Sequence, residues 1–312
     1  MDAILNVSLP VFAIILGGYW AARAGLLGQG STGALNAFVY YFALPPLLFL
    51  SMARVPLSEI FHWPYLGAYV GGLIATAALS LFAGLIFFRR HAAELSLQGM
   101  TAVFSNTGYM GVPLFLTAFG DTGVLPALIL TVFNGAVVVG TVVVLIEFSL
   151  SRSGNPLRIF RDVGLALLKN PLVMSAVVGV LWSAFRLPLP KPLTNLCEIL
   201  GASSSPCALF AMGLSLVGQI GGGDTKETGW LVFLKLVVQP AITAWLAFAV
   251  FGLDPFWAMS AVILAALPTG ALTFVVAQRY GLYVPQTTQA TLASTVLSVV
   301  TVSALLAWFR IG

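Results

Sequence analysis

The stretch Ser105-Asn106-Thr107-Gly108-Tyr109-Met110-Gly111-Val112-Pro113 interrupts an apolar segment that is otherwise long enough to cross a membrane. Pro113 removes a backbone donor, and each glycine lowers helix propensity by about 1 kcal/mol relative to alanine. At membrane depth, freed backbone groups are tolerated only where protein or a water-filled cavity satisfies them. The stretch therefore predicts a broken helix that lines a cavity. A kinked but intact helix is the alternative interpretation.

A second interruption, Leu267-Pro268-Thr269-Gly270, lies in a later apolar segment. Paired interruptions of this kind are the best sequence indication of a transporter's substrate site. Two broken helices would bring two helix N-termini, each with about half a positive elementary charge, to the middle of the bilayer. That arrangement suits an anionic or strongly hydrogen-bonding substrate without a buried Lys or Arg. The predicted substrate-binding residues are Asn106, Thr107, Gly108, Pro113, Asn134, Pro268, Thr269 and Gly270.

Composition places both interruptions in a membrane protein. Of the 312 residues, 59% are apolar and 8% are charged, and the mean hydropathy is +1.01. Soluble domains carry roughly 25% charged residues. Most of the outer surface must therefore face the lipid bilayer, and we predict an all-α polytopic membrane protein.

Ten apolar windows are long enough to span a bilayer, which needs about 20 such residues. The windows are 4–22, 34–53, 64–88, 96–118, 124–148, 166–185, 193–218, 229–251, 256–280 and 286–309. One longer connection, Ser149–Leu168, divides them into five and five. We therefore predict a first repeat over 1–148, a cytoplasmic linker over 149–165 and a second repeat over 166–312.

Matching residues support a duplication at an offset of 161 positions. Pro171 falls on Pro10 and Gly179 on Gly18, while Pro206 and Phe210 fall on Pro45 and Phe49. Pro268 falls on Thr107, in the fourth span of each half. Because each half has an odd number of spans, the two copies must have opposite orientations. This inverted repeat is typical of secondary transporters.

The basic residues are divided unequally between the two sides of this topology. One side holds Arg23, Arg89, Arg90, Arg152, Arg158, Arg161, Lys169, Lys226 and Arg279, and the other holds Arg54, Arg186, Lys191 and Arg310. The positive-inside rule places the first group in the cytoplasm and both termini outside. We expect the cell inner (plasma) membrane as the location. The formal charge of +4 is thereby explained by topology and does not indicate a nucleic-acid partner.

Charged residues inside the spans are few. Glu147 lies near the cytoplasmic end of span five, and no carboxylate sits at mid-membrane, which disfavours a central proton relay. Lys235 lies about two turns into span eight. It either extends to the interface or lines the cavity, where it would balance an anion or Glu147 as a charge partner.

Other chemistry finds no support in the sequence. Cys197 and Cys207 lack metal-ligand or C-x-x-C spacing, so neither a disulfide framework nor a metal site is indicated. Phosphate-binding, metalloprotease and serine-hydrolase motifs are absent from the sequence. We predict a protein that is not an enzyme and uses no cofactor.

Five stretches resemble the auxin efflux carrier family, the PIN-like permeases of plants and bacteria. They are Leu44–Phe49 (LPPLLF), Asn106–Leu114 (NTGYMGVPL), Cys207–Gly213 (CALFAMG), Lys235 with Pro240, and Leu267–Gly270 (LPTG) followed by Phe274, Val275, Ala277 and Tyr280. They cover essentially the whole chain in the family's order.

The resemblance implies a fold similar to that of bile acid:sodium symporters, with broken helices four and nine crossing at the substrate site, near Asn106 and Pro268. It implies a scaffold of spans 1, 2, 6 and 7 and a transport domain of spans 3–5 and 8–10 that moves as an elevator. A homodimer through the scaffold helices is a candidate assembly. Bacterial relatives in the malonate-permease-like branch imply a small carboxylate substrate.

Three functions remain in view at this stage. The first is a secondary carrier for a small organic anion, such as malonate or an auxin-like acid. The second is a sodium-coupled symporter of a larger amphipathic organic acid, although no carboxylate lies near the crossover to complete a cation cage. The third is a membrane sensor or channel without alternating access.

Overall fold

The computed structural model describes residues 2–28, 30–54, 62–123, 125–150, 168–169, 171–219 and 223–309. These ranges are helical almost throughout and contain no strand. The helices are α1 (Asp2–Arg23), α2 (Ser31–Arg54), α3 (Trp63–Ile86), α4 (Ala92–Val103), α5 (107–123), α6 (125–150), α7 (Pro171–Ala184), α8 (Lys191–Gln219), α9 (Thr225–Val250), α10 (Pro255–Ala265), α11 (Ala271–Tyr280) and α12 (Val284–Trp308). Most of the predicted linker lies outside the described residues.

Five of these helices are long and apolar enough to cross a membrane: α2, α3, α8, α9 and α12. Large apolar side chains point away from the protein along the bundle, among them Trp20, Phe42, Ile199 and Val300. In water such a surface would be unfavourable, whereas hydrocarbon accommodates it. The predicted all-α polytopic membrane protein is therefore confirmed for the described residues.

Two interruptions separate α4 from α5 and α10 from α11. The first helix ends at Val103 and its continuation begins at Thr107. The second ends at Ala265 and resumes at Ala271. Pro268 explains the second break, because proline lacks an amide donor and disfavours helical geometry in the residue before it. The run of Ser, Asn, Thr and Gly favours the break between α4 and α5, since these residues have low propensity for helix interiors.

Glycines set the closest helix contacts. A Cβ atom on Gly18 of α1 would lie 2.2 Å from the carbonyl oxygen of Phe210 in α8. A Cβ on Gly179 of α7 would lie 2.6 Å from the carbonyl oxygen of Phe49 in α2. Only glycine lets these backbones approach so closely, which is the usual device for packing helices in lipid. Helices α1 and α8 thus pack as one pair, and α7 and α2 as another.

A buried ionic cluster joins the α3–α4 connection to α9 and to the residue before α12. Glu227 has no exposed side-chain surface, although it lies in the first turn of α9. Arg90 binds its carboxylate through Nε (3.2 Å) and Nη2 (2.5 Å), and the Tyr283 hydroxyl donates to Oε1 at 2.5 Å. Hydrogen bonding to Glu227 raises the pKa of Arg90, and burial raises that of Tyr283. The cluster ties together the connections at one end of the bundle.

Candidate functional site

The two broken segments meet and pair with each other. The Asn106 amide donates to the Pro268 carbonyl at 2.9 Å, and the Gly270 amide donates to the Phe104 carbonyl at 2.9 Å. These two bonds form a short antiparallel bridge centred on Ser105 and Thr269. Backbone groups released by unwinding are therefore satisfied by the opposite segment, as burial requires.

A small cavity of about 60 Å³ lies beside this bridge, and we call it the crossover pocket. Four of the predicted residues line it: Asn106, Thr107, Gly108 and Asn134. Further lining comes from the first residues of α11 and from α2 and α6: Ala271, Leu272, Leu44, Leu47, Leu48, Thr131 and Gly135. The pocket thus combines a few polar groups with an apolar wall, as small-ligand sites do.

The crossover pocket lies at the N-terminal ends of two helices. Helix α5 begins at Thr107 and α11 begins at Ala271, and both residues line the cavity. Each helix start carries about half a positive elementary charge and exposes N–H groups. No charged side chain lines the pocket within the described residues. The positive potential there comes from the backbone.

Asn134 is held in the wall of this pocket by its neighbours. Its Nδ2 atom donates to the Tyr69 hydroxyl at 3.0 Å and lies 3.5 Å from Thr107 Oγ1. Asn134 is 1% exposed, and Tyr69 is fully buried. A buried amide without partners would be costly, so this contact fixes the side chain next to the start of α5.

Lys235 contacts the bridge through Ser105 and is not among the described residues that line the crossover pocket. Its ammonium donates to Ser105 Oγ (2.9 Å), Gln239 Oε1 (2.7 Å) and the Ala265 carbonyl (2.6 Å). All three ammonium protons are therefore used. Gln239 Nε2 in turn donates to the Val103 carbonyl at 3.1 Å. Val103 and Ala265 are the last residues of α4 and α10, so the cation sits at two helix C-termini, which favour positive charge.

Neither predicted position of Lys235 is the one found. Its side chain is 0% exposed, so it does not extend to the interface, and it does not line the crossover pocket. It also forms no ion pair with Glu147 among the described residues, since that carboxylate accepts from the Tyr280 hydroxyl at 2.9 Å. The physical reason is that two helix C-termini already supply the negative potential that a buried ammonium needs.

The remaining predicted residues belong to the bridge rather than to the pocket lining. Pro268 and Gly270 contribute its backbone bonds. The Thr269 hydroxyl donates to the Thr101 carbonyl at 2.8 Å and so faces the end of α4. Pro113 lies in the first turns of α5, and its side chain is outside the described part of the chain.

Tyr69 and Gln239 were not identified from the sequence as residues of the site. Gln239 follows Lys235 by four residues, which places both on one helix face, and that spacing was an available signal. Tyr69 had none, because its role depends on the packing of α3 against α6. Asn134 and Lys235 each lie in a short π-helical turn, a local irregularity common at functional sites.

A larger cavity of about 540 Å³, which we call the Arg54 cavity, adjoins the crossover pocket. Leu47 and Thr131 line both spaces. Helices α2, α6 and α8 form its walls, and Arg54 and Glu198, which pair with each other, lie among its lining residues. The crossover pocket is thus a neighbour of a wide space at the C-terminal end of α2, and Leu47 and Thr131 lie between the two.

Two broken helices that meet at a small pocket with polar groups are typical of secondary membrane transporters. This helical membrane bundle has that arrangement and belongs to this class. Residues 3–306 match the family described as membrane transport protein. The chain belongs to this family, and the resemblance to auxin efflux carriers is confirmed. The family consists of transporters, so the prediction that the protein is not an enzyme is also confirmed.

Individual relatives agree with the family match. A protein of Rhizobium meliloti (strain 1021) named "Putative malonate transporter" is 33% identical over 313 residues, covering 100% of this chain and 98% of its own. The uncharacterized transporter YfdV of Escherichia coli (strain K12) is 26% identical, covering 94% of this chain and 93% of its own. Auxin efflux carrier component 3 of Arabidopsis thaliana is 31% identical over 124 residues, 38% of this chain and 19% of its own.

Proposed function

We propose that the protein is a secondary carrier for small organic anions, of the size and charge of malonate, which bind in the crossover pocket. The observation that carries the proposal is the electrostatic asymmetry of the crossover. Two helix N-termini meet at the pocket, whose lining includes no acidic side chain among the described residues, while Lys235 binds the C-terminal carbonyl of α10 and Gln239 binds that of α4. The positive potential of the pocket therefore has no negative counter-charge from the lining side chains, and a substrate carboxylate supplies one.

The strength of this attraction suits a carrier. Each helix terminus contributes about 0.3–1 kcal/mol at exposed sites and up to about 2 kcal/mol when partly buried. Hydrogen bonds to a charged group add about 1.5–3 kcal/mol each. Asn106, Thr107 and Asn134 line the pocket and are placed to donate them. Together these terms support binding tight enough to select a carboxylate and weak enough to release it.

Pocket size favours a small substrate. A volume of about 60 Å³ accommodates a carboxylate group and little more, with the remainder of the substrate reaching past Leu47 and Thr131 toward the Arg54 cavity. A larger amphipathic acid would have to open the pocket. This argues for malonate-like or auxin-like acids over the larger amphipathic substrate of the second hypothesis. The relative named as a malonate transporter points in the same direction.

Sodium coupling is disfavoured by the position of Lys235. Sodium would need a cluster of carbonyl, hydroxyl and amide oxygens at the crossover. Such a cluster exists in the Ala265 carbonyl, Ser105 Oγ and Gln239 Oε1, but the Lys235 ammonium already binds all three. We therefore expect transport that is independent of sodium.

The proposed architecture is a five-plus-five inverted repeat in which α4 with α5 and α10 with α11 form spans four and nine. The reciprocal contacts Gly18–Phe210 and Gly179–Phe49 support it, because the offset of 161 exchanges one pair for the other. The offset does not hold at the crossover. The bridge pairs Ser105 with Thr269, an offset of 164 (269 minus 105), so Thr107 and Pro268 are not equivalent there.

We propose elevator motion for this arrangement. The glycine-packed helices α1, α2, α7 and α8 would be the scaffold, and the helices that carry the bridge, Lys235 and Asn134 would be the moving domain. The Arg54 cavity lies between α6 of the moving domain and α2 and α8 of the scaffold, where alternating access requires a gap. The proposed topology keeps both termini outside, in the cell inner membrane, with a scaffold-mediated homodimer as the candidate assembly.

Counterflow in proteoliposomes tests the proposal. Liposomes loaded with unlabelled malonate should accumulate labelled malonate through the wild-type protein, equally in sodium and potassium buffers. Asn106→Ala should reduce the initial rate by about tenfold or more, from the loss of one hydrogen bond to a charged group. Asn195→Ala, at an exposed asparagine of α8, is the matched control. Counterflow that is unchanged in Asn106→Ala would remove the substrate from this pocket, and a saturable signal would exclude a channel or sensor.

A further inference from the structure

A separate cavity of about 150 Å³ lies at the other end of α2, and we call it the Arg279 cavity. Its walls are the first half of α2 and the C-terminal part of α11, which contribute Asn36, Tyr40, Tyr41, Gln278 and Arg279. Helix α2 has 24 residues and is therefore about 36 Å long, close to the thickness of a bilayer. Helix α2 lines the Arg54 cavity near its C-terminal end and the Arg279 cavity near its N-terminal end, and the predicted topology assigns these ends to opposite sides of the membrane.

Asn36 has no hydrogen-bond partner for either atom of its side-chain amide. Its side chain is only 7% exposed, and it lines the Arg279 cavity. Leaving a buried amide unsatisfied costs about 1–3 kcal/mol, and native proteins rarely retain such a group without a reason. An amide that is buried, unbonded and directed at a cavity indicates a ligand that the cavity binds.

Arg279 gives this cavity its charge. The guanidinium carbon lies 5.7 Å from the Tyr40 ring centre and 5.3 Å from the Tyr41 ring centre. Stacking on aromatic faces leaves the guanidinium N–H edge available for an anion. Among the described residues no acidic side chain lines the cavity, and the Glu147 carboxylate accepts from the Tyr280 hydroxyl at 2.9 Å. The lining therefore offers donors and a positive charge without an internal anion.

The repeat gives the Arg279 cavity a counterpart. At the offset of 161, four residues of this cavity fall on four residues of the Arg54 cavity: Asn36 on Cys197, Ala37 on Glu198, Tyr40 on Gly201 and Tyr41 on Ala202. The same helix face therefore lines a cavity in both halves. The Arg54 cavity is wide and shares Leu47 and Thr131 with the crossover pocket, whereas the Arg279 cavity is small and shares none of its described lining residues with that pocket. This is the asymmetry expected of a carrier that is open on one side.

We propose that the Arg279 cavity is a second carboxylate-binding site, at the cytoplasmic mouth of the transport path. The Arg279 guanidinium and the Asn36 Nδ2 atom bind the carboxylate oxygens, and Gln278 lies at the rim. A site between α2 and α11 holds the anion where scaffold and moving domain meet, before it enters or after it leaves the crossover pocket. The inference rests on the proposed function for the identity of the anion, and on the unbonded amide and the guanidinium for the existence of the site.

The test uses the full-length protein in vesicles of both orientations, with labelled malonate as the probe. Asn36→Leu and Arg279→Gln should raise the half-saturating malonate concentration at the cytoplasmic face by about tenfold, the effect of one charge-assisted hydrogen bond. At the opposite face the change should be less than about twofold. Arg23→Gln is the matched control, because Arg23 is an exposed arginine of the same predicted side that bonds Tyr19 and lines neither cavity.

A stability measurement separates a ligand site from a structural role. Asn36→Leu removes an unsatisfied buried amide, so the ligand-free variant should melt at the same temperature as wild type or higher, while its malonate affinity falls. Equal half-saturating concentrations in wild type, Asn36→Leu and Arg279→Gln at the cytoplasmic face would overturn the inference and leave the crossover proposal intact. If wild type transports no malonate, the proposed substrate fails. Equilibrium binding of labelled malonate to the purified proteins then decides: loss in both cavity variants supports the site, and binding unchanged from wild type refutes it.

Discussion

Lys235→Met is the perturbation whose outcome follows most directly from the geometry of the crossover. Methionine has nearly the same length and fills the same volume, but it cannot donate. The change therefore leaves Ser105 Oγ, Gln239 Oε1 and the Ala265 carbonyl without the ammonium that now binds them. The hydroxyl and the amide can rotate toward other partners, whereas the carbonyl at the end of α10 cannot.

The size of the effect can be worked out from these contacts. One unsatisfied buried carbonyl costs about 1–3 kcal/mol. Loss of the positive charge between two helix C-termini adds about 0.3–2 kcal/mol for each terminus. Relief from burying an ammonium acts in the opposite direction and amounts to several kcal/mol in the absence of partners. The contributions partly cancel, so we expect a net destabilisation of at most about 4 kcal/mol, measured as a lower Tm than that of wild type.

The assay is thermal unfolding of purified protein in detergent, combined with malonate counterflow. Lys235→Gln should lose about half as much stability as Lys235→Met, since it keeps a donor and gives up the charge. Lys226→Met, at an exposed lysine in the first turn of the same helix, should match wild type in both assays. A Lys235→Met variant as stable and as active as wild type would refute the assignment of this lysine to the helix ends.

Three further predictions use contacts elsewhere in the bundle. Gly18→Ala should sharply lower the yield of folded protein, because its Cβ would lie 2.2 Å from a carbonyl oxygen. Gly17→Ala should be tolerated, since the nearest atom to its Cβ would be at an ordinary 3.9 Å. Fluorescence-detected size-exclusion chromatography measures the yield of both variants. Arg90→Gln should destabilise the protein by about 3–5 kcal/mol in thermal melts, because it leaves the Glu227 carboxylate buried without a cation. Glu227→Gln should lose less stability than Arg90→Gln, and equal losses in the two variants would contradict this cause. Asn134→Leu should raise the half-saturating malonate concentration in counterflow by about tenfold, and an unchanged concentration would place the substrate elsewhere.

Much of the fold could be predicted because hydrocarbon imposes simple rules on sequence. Apolar length identifies spans, and the predicted windows at 34–53, 64–88 and 286–309 lie within a few residues of α2, α3 and α12. The breaks were also visible, because Pro268 and the Asn106–Gly108 stretch have no other use in a helix. Their pairing as a backbone bridge was not visible, since it depends on two segments about 160 positions apart in the chain.

The candidate site was predicted in part. Asn106, Thr107, Gly108 and Asn134 line one pocket, and the two asparagines were conspicuous in the sequence because an amide is costly to bury unpaired in hydrocarbon. The position of Lys235 was not predicted, because the sequence alone does not show which end of a broken helix a side chain contacts. The burial of Glu227 could not be predicted from the sequence, because its partner Arg90 comes from a distant connection whose packing leaves no periodic signal.

The central claim is that a small carboxylate is carried on helix N-termini at the crossover, without a charged side chain in the pocket. The most direct test is the initial rate of labelled malonate counterflow in proteoliposomes containing wild type, Asn106→Ala and the control Asn195→Ala. The account predicts saturable, sodium-independent counterflow in wild type and in the control, and a rate about tenfold or more lower in Asn106→Ala. Equal rates in all three proteins, or counterflow that requires sodium, would contradict it.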